Sequence, residues 1–327
     1  MSGEPLIAVK DLNVGYWSET GWHDIVRGFS FALAPGEIVG LAGESGCGKS
    51  TIANALLAES RSGSRITQGS VVFDGRDILK LSSAELRSIR GGRISVVPQN
   101  PTTSLTPSMS CGRQVREVLE SHGIARGRAA IDCVLEIFAA VGLPAPRSLY
   151  DRYPHELSGG QQQRVVIGMA IACQPALILL DEPTTGLDVT TQARILHLLA
   201  DLRTRFGTAL LYVSHDLGAL AEICDRIAIM YAGTLVEEAP TAELFANPQH
   251  PYTRGLLASM PRLDRPPPET PPLEGVFRRV ASLDGCRFAS RCKWAADICL
   301  RGNIPLEHAA AGHEVACLRR AEIARSA

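Results

Sequence analysis

The chain has no apolar run approaching the roughly 18 to 20 residues that cross a bilayer, so any membrane role must come through partner subunits. It also lacks net charge: 33 Lys and Arg against 34 Asp and Glu leave −1. That balance gives none of the basic footprint that nucleic-acid binding requires, and no nucleic-acid partner is expected. The first residues, Met1-Ser2-Gly3-Glu4-Pro5, have neither the charged segment nor the apolar core of a secretory leader, so a cytosolic protein is expected. No fixed-period repeat or long low-complexity stretch is present. The nine cysteines include no tight C-x2–4-C pair, the usual spacing of structural zinc. Their odd number also argues against a disulfide framework.

What is there is a chain of 327 residues, 45% hydrophobic and 20% charged, enough for one large or two modest domains. Short alternating runs such as Leu12–Tyr16 and Phe29–Leu33 read as antiparallel strands. Pro35-Gly36 is a turn, and Glu37–Ala42 reads as a buried strand followed by a helix from Ser50 to Ala58. From about 102 to 154 the pattern turns helical, with Ile131, Val134, Leu135 and Phe138 at i, i+3, i+4, i+7. Apolar strands return at Ala176–Leu180, Ala209–Val213 and Ile227–Tyr231, separated by helical stretches. This alternation predicts an α/β core with a mainly parallel sheet and a helical insertion. A boundary is expected near Glu238-Ala239-Pro240, and the proline-rich stretch Arg265–Pro272 reads as an extended linker within a small C-terminal appendage.

Gly43-Glu44-Ser45-Gly46-Cys47-Gly48-Lys49-Ser50-Thr51 contains G-x-x-x-x-G-K-[ST] between a predicted strand and a predicted helix, the context a phosphate loop requires. Its glycines let backbone N–H groups turn toward phosphates at a helix N-terminus. Lys49 supplies a point charge and Ser50 a hydroxyl for Mg²⁺. The apolar strand Ala176–Leu180 ends in Asp181 and Glu182, which emerge where open α/β sheets bind ligands. Asp181 suits magnesium and Glu182 suits a general base. Leu157-Ser158-Gly159-Gly160-Gln161 opens a helix with Ser158 as N-cap and bare glycines that leave N–H groups to an anion.

Together, in this order, the motifs resemble the ATP-binding cassette (ABC) ATPases over about Leu6–Glu238. The resemblance implies a RecA-like parallel-sheet core with an antiparallel β subdomain, a helical insertion at about 102–165, and residues 239–327 as a C-terminal extension. It also implies ATP and Mg²⁺ as ligands and a head-to-tail dimer. Ser158, Gly159, Gly160 and Gln161 of one subunit would then face the ATP held by the other's phosphate loop. Val97-Pro98-Gln99 resembles the glutamine loop, so Gln99 would sense magnesium and the attacking water. Val213-Ser214-His215-Asp216 resembles the switch segment, with His215 at the γ-phosphate. Gly186-Leu187-Asp188 resembles the D-loop, with Gly186 where alanine is commoner and Asp188 linking the two sites. Tyr16 lies where the family places an adenine-stacking aromatic, and its neighbour Trp17 is the alternative ring.

Asn100–Pro107 and Asn247–Leu257 resemble segments of the oligopeptide/dipeptide (and nickel) importer ATPases. This implies the ATP-hydrolysing subunit of a bacterial importer at the cytoplasmic face of the inner membrane. Its partners would be a second, identical or paralogous ATPase, two integral-membrane permease subunits and an extracytoplasmic solute-binding protein. Cys286, Cys292, Cys299 and Cys317 follow C-x5-C-x6-C-x17-C. Four thiolates at irregular spacing suit a [4Fe–4S] cluster, as the resemblance also implies; zinc and reduced thiols are the other readings. His308 and His313 are spare ligands that are set aside. Three other functions remain as alternatives: an importer ATPase for nickel or another small solute, a soluble ABC ATPase acting on nucleic acid or ribosomes, and a redox sensor that uses nucleotide only for regulation.

Overall fold

Two long strands with alternating burial, β1 (Ile7–Ser18) and β2 (Gly21–Leu33), open the chain. In this computed structural model, residues 4–19, 21–60, 63–260, 273 and 284–325 are described, so the Arg265–Pro272 stretch lies outside them. Next come β3 (Ile38–Ala42), α1 (Lys49–Ala55), β4 (Ser64–Phe73), β5 (Arg76–Asp77), α2 (Ser83–Ile89) and β6 (Ile94–Val97). The helical segment comprises α3 (Pro101–Ser104), α4 (Cys111–Ser121), α5 (Gly127–Ala140), α6 (Pro146–Tyr150) and α7 (Gly159–Ile171). Then follow β7 (Leu177–Asp181), α8 (Val189–Phe206), β8 (Ala209–Ser214), α9 (Leu217–Ile223), β9 (Arg226–Tyr231) and β10 (Thr234–Pro240). The chain continues with α10 (Thr241–Ala246), α11 (Pro251–Ala258), β11 (Glu307–Ala310), β12 (His313–Val315) and α12 (Arg320–Arg325).

These elements form two compact units. The first comprises Met1–Leu6, Leu33–Ile38 and Ile78–Tyr212. Its strands β6 and β7 pair in parallel from Ile94↔Leu177 to Val97↔Leu180, and β8 lies beside β7. The four buried apolar residues of β7, Leu177–Leu180, are what a strand covered on both faces needs. In α5 the buried stripe is Ala130, Val134 and Phe138, with Ile131 and Leu135 at its half-buried margin. The expected face was therefore correct but centred one residue too far along. Burying Val134 and Phe138 contributes about 1.5–3 kcal/mol each.

The second unit comprises Ile7–Ala32, Val39–Asp77 and Val213–Ala327. One of its sheets is antiparallel, ordered β2-β1-β4-β5, with Ile7↔Phe73 and Tyr16↔Ser64 fixing the β1–β4 register. The other runs β11-β12-β10-β9-β3. Here β3 and β9 are parallel, with Val39↔Arg226 and Ala42↔Ile229 opposed, whereas β9, β10, β12 and β11 pair antiparallel. The architecture is thus mixed α/β, and the carboxyl end of β3 delivers the phosphate loop.

Helix α1 starts at Lys49, one residue before the expectation, and ends at Ala55. Bonds from Leu57 N–H to Asn54 C=O (3.0 Å) and from Ala58 N–H to Ala55 C=O (2.9 Å) tighten the next turn, and Ala58 reaches φ 53°. The C-terminal extension is hydrogen-bonded into the sheet: β12 pairs with β10 at Glu237↔Val315, and Ala316 N–H donates to Val236 C=O at 2.8 Å. Among the described residues, no helix is long and apolar enough to cross a membrane.

Candidate nucleotide-binding site

In the second unit the phosphate loop is shaped by backbone conformations that only glycine adopts cheaply. Gly43 has φ 150°, and a Cβ there would lie 2.2 Å from the Met230 carbonyl oxygen. Gly48, at φ 109°, is the N-cap of α1 and contributes no side-chain cap to its first N–H groups. Lys49 is buried, and its Nζ donates to the carbonyls of Gly43 (2.7 Å) and Glu44 (3.1 Å). The ammonium is thereby held over the loop that would surround a phosphate. Cys47 packs inward, and burial pushes its thiol pKa up. Gly46 takes φ 83° between Ser45 and Cys47, while Ser50 and Thr51 open the first turn of α1.

His215 follows β8 and is exposed. The next residue, Asp216, caps α9 by accepting from Gly218 N–H (2.9 Å) and Ala219 N–H (3.2 Å). Tyr16 is half-buried, its ring centroid 5.5 Å from that of His23. Trp17, the next residue on β1, is 69% exposed, its ring centroid 6.4 Å from that of Trp22.

In the first unit β7 ends in the half-buried Asp181, and Glu182 follows at φ 48°. A left-handed glutamate stores strain of roughly 1–3 kcal/mol, a feature that clusters at functional sites. Its Oε2 accepts from Gln99 Nε2 (2.9 Å) and Thr185 Oγ1 (3.0 Å). Two residues predicted separately, Gln99 and Glu182, are therefore in direct contact. Below them Thr184 and Tyr212 share a buried hydroxyl–hydroxyl bond of 3.0 Å.

Ser158 is the N-cap of α7 in a complete capping box: its Oγ accepts from Gln161 N–H (3.4 Å), and Gln161 Oε1 accepts from Ser158 N–H (3.0 Å). A Cβ on Gly160 would lie 2.7 Å from Thr191 Cγ2, so this helix start and the start of α8 pack too closely for a side chain. Asp188 caps α8 by accepting from Thr191 N–H (2.9 Å) and Oγ1 (2.7 Å), and these bonds hold its carboxyl below the usual range. Gly186 adopts φ 79°, a conformation that strains the alanine commoner at this position.

Sequence reasoning missed several supporting residues. Gln162 accepts from Thr102 Oγ1 (2.9 Å) and donates to Pro154 C=O (2.8 Å), tying the segment after Gln99 to α7. Its place in a run of three glutamines hid it. Tyr252 and Arg291 hold Glu44 of the phosphate loop, as developed below. Cys286, Cys292, Cys299 and Cys317 line one apolar cavity with Phe288 and Trp294. Burial pushes the Cys286 thiol up to about 11 and raises those of Cys292 and Cys317. Among the described residues, no three His, Cys, Asp or Glu side chains stand as a group that could hold a single metal ion. His313 is instead paired with Glu237, its Nε2 lying 2.7 Å from Oε1, while His308 is exposed beside Glu314.

A glycine-shaped phosphate loop with a buried lysine, an acid-ended strand and a glycine helix start define a nucleotide-dependent P-loop protein. The comparisons narrow this. The "ABC transporter" family profile matches residues 26–185, and "Oligopeptide/dipeptide transporter, C-terminal region" matches residues 236–299. The dipeptide transport ATP-binding protein DppD of Bacillus subtilis is 40% identical over 300 residues, covering 91% of this chain and 90% of its own. A probable peptide ABC transporter ATP-binding protein, y4tR, of Sinorhizobium fredii is 41% identical over 321 residues, covering 97% and 96%. Among solved structures, a dimeric post-hydrolysis state of the ATP-binding cassette MJ0796, bound to ADP and Pi, aligns with TM-score 0.65 at 29% identity. It covers 72% of this chain and 98% of that one. The chain belongs to the ATP-binding subunits of the ABC transporter family, in the branch that carries the oligopeptide/dipeptide C-terminal region.

Proposed function

We propose that this chain is the ATP-hydrolysing subunit of a bacterial di- or oligopeptide importer, acting at the cytoplasmic face of the inner membrane. The single observation that carries the hydrolytic assignment is the strained Glu182, held by Gln99 and Thr185. In this reading Glu182 is the general base, and its carboxylate is oriented by the two donors on Oε2. Gln99 responds to magnesium and the attacking water, so its contact with Glu182 couples nucleotide occupancy to the base. In the second unit Lys49 and the backbone of Gly43–Thr51 would take the phosphates, Ser50 would offer its hydroxyl to Mg²⁺ and His215 would meet the γ-phosphate; in the first unit Asp181 would offer its carboxylate to Mg²⁺. Tyr16 stacks on adenine.

Ser158 to Gln161 serve the ATP of a second ATPase subunit, identical or paralogous, and Asp188 links the two sites. In this reading the Gln161 amide nitrogen would donate to this ATP, its Oε1 already accepting from Ser158 N–H. ATP-driven closure then acts on two permease subunits, and an extracytoplasmic binding protein supplies the solute. The peptide cargo rests on what the relatives' names say of those proteins. The [4Fe–4S] reading of the four cysteines rests on their number, their ligand type and the resemblance; among the described residues they form no group that could hold a metal ion. Such a cluster would cross-link a small extension and is given no part in hydrolysis.

The test is reconstitution of this chain with its permease partners and binding protein in vesicles, followed by uptake of labelled dipeptide. Peptide uptake that requires ATP supports the reading. Uptake of nickel but not peptide moves the cargo to the nickel alternative, and hydrolysis stimulated only by RNA or ribosomes refutes an importer.

A further inference from the structure

Glu44, the second residue of the phosphate loop, is held at three points. Its carboxylate takes a forked ion pair from Arg291, Nη1 to Oε2 at 2.8 Å and Nη2 to Oε1 at 3.1 Å. Its N–H donates to the Tyr252 hydroxyl at 2.9 Å. Its carbonyl accepts from Lys49 Nζ at 3.1 Å and from Cys47 N–H at 3.2 Å. Arg291 and Tyr252 both belong to the C-terminal extension. Neither is a surface contact: the Arg291 side chain is 7% exposed and Tyr252 is 0% exposed.

An aromatic cage aims these groups. The Tyr231 ring lies 4.6 Å from that of Tyr252 and 5.2 Å from that of Phe288, with Tyr252 and Phe288 5.4 Å apart. The Arg291 guanidinium lies 5.8 Å from both the Tyr231 and Phe288 rings and also donates to the Tyr231 hydroxyl at 3.3 Å. Arg291 stands on a short turn between two of the clustered cysteines. Ala289 N–H donates to Cys286 C=O (3.0 Å), and Cys292 N–H donates to Ala289 C=O (3.2 Å). These bonds shape the backbone turn from which Arg291 projects.

We infer that Arg291 and Tyr252 are positioning residues that set the phosphate loop, so that the C-terminal extension controls the loop's affinity for nucleoside triphosphate. The physical basis is preorganisation. A loop held in its binding conformation loses little order when the phosphate arrives, whereas a released loop binds with an affinity reduced by the fraction still competent. The inference rests on the reading that this loop takes ATP.

The experiment titrates the full-length chain with a fluorescent ATP analogue and Mg²⁺, and measures kcat and KM for ATP. Arg291→Ala should raise the dissociation constant about tenfold, since a hydrogen-bonded charge is lost, and should raise KM by a similar factor with little change in kcat. Arg291→Lys should recover part of the affinity, because a point charge cannot fork. Glu44→Gln should weaken binding in the same way, and the Arg291→Ala/Glu44→Gln double variant should be no weaker than the worse single. Thermal melts without nucleotide check folding. Tyr252→Phe, which removes one hydroxyl from an intact ring cage, carries the test if Arg291→Ala does not fold, with a loss of about threefold or more expected. Affinity within twofold of wild type in the folded Arg291 and Tyr252 variants, or additive losses in the double variant, overturns the inference. Wild-type protein that fails to bind the analogue overturns the nucleotide reading and the inference with it.

Discussion

Glu237 is a fully buried carboxylate on β10, and three donors meet it. Its Oε1 lies 2.7 Å from His313 Nε2 and accepts from Gln249 N–H at 2.6 Å, while its Oε2 accepts from His250 N–H at 2.9 Å. Replacing His313 by alanine removes the only one of these donors that can carry charge. A hydrogen bond to a charged group contributes about 1.5–3 kcal/mol, and orphaning a buried charge costs about 3–5. Two backbone N–H groups remain on Glu237, so the expected loss is about 2–3 kcal/mol. For a unit of this size that lowers the melting temperature by roughly 4–12 °C.

The pH dependence gives a second reading of the same pair. The hydrogen bond and charge of Glu237 raise the His313 pKa above its ordinary 6.5, so the folded chain holds the proton more tightly than the unfolded one. The resulting stability is fully present below pH 6.5 and is lost as pH rises through the folded-state value. Denaturant unfolding of wild type and His313→Ala between pH 5.5 and 8.5 measures both effects. The gap between the two proteins should be widest at the acid end and narrow upward. Equal stability at pH 6, or a gap that widens with pH, would refute the reasoning.

Glu182→Gln keeps the shape that Gln99 and Thr185 contact but removes the base; ATP should still bind while phosphate release falls by about 10² to 10⁴, and undiminished turnover removes Glu182 from that role. Gly43→Ala should abolish measurable ATP binding, because its Cβ would collide with the Met230 carbonyl at 2.2 Å; retained affinity in a titration would show that the loop yields. Tyr16→Ala should weaken ATP by about 1–3 kcal/mol if that ring stacks on the base. The same loss in Trp17→Ala, with Tyr16→Ala unaffected, would move the adenine site to the exposed ring.

Much of the site was legible because its motifs encode local structure. The glycines of the phosphate loop report backbone angles, Ser158 and Asp188 report helix starts, and a buried apolar strand ending in acids places Asp181 and Glu182 at its rim. The contact between Gln99 and Glu182 was not legible, since 83 positions separate them and only the pairing of β6 with β7 brings them together. The length of β1 and β2 was also hidden, because interrupted apolar runs such as Leu12–Tyr16 mark only the inward faces of much longer strands. The hold on Glu44 was least legible of all. Tyr252 sat in a stretch recognised by resemblance, and Arg291 sat between cysteines that drew attention to their sulfurs, so neither advertised a partner more than 200 positions away.

The pairing of β12 with β10 has a further consequence for how the chain avoids its own copies. Without β12, the backbone of β10 around Val236 and Glu237 would be an open sheet edge, a template for strand addition by a second molecule. The tail moves that edge outward to β11, only four residues long and exposed throughout, with Glu307 and His308 on it. Short, charged edges discourage such pairing. A cassette trimmed at residue 238 would cut through β10 and strip this guard. Light scattering of the trimmed protein should therefore show association where the intact chain stays dispersed.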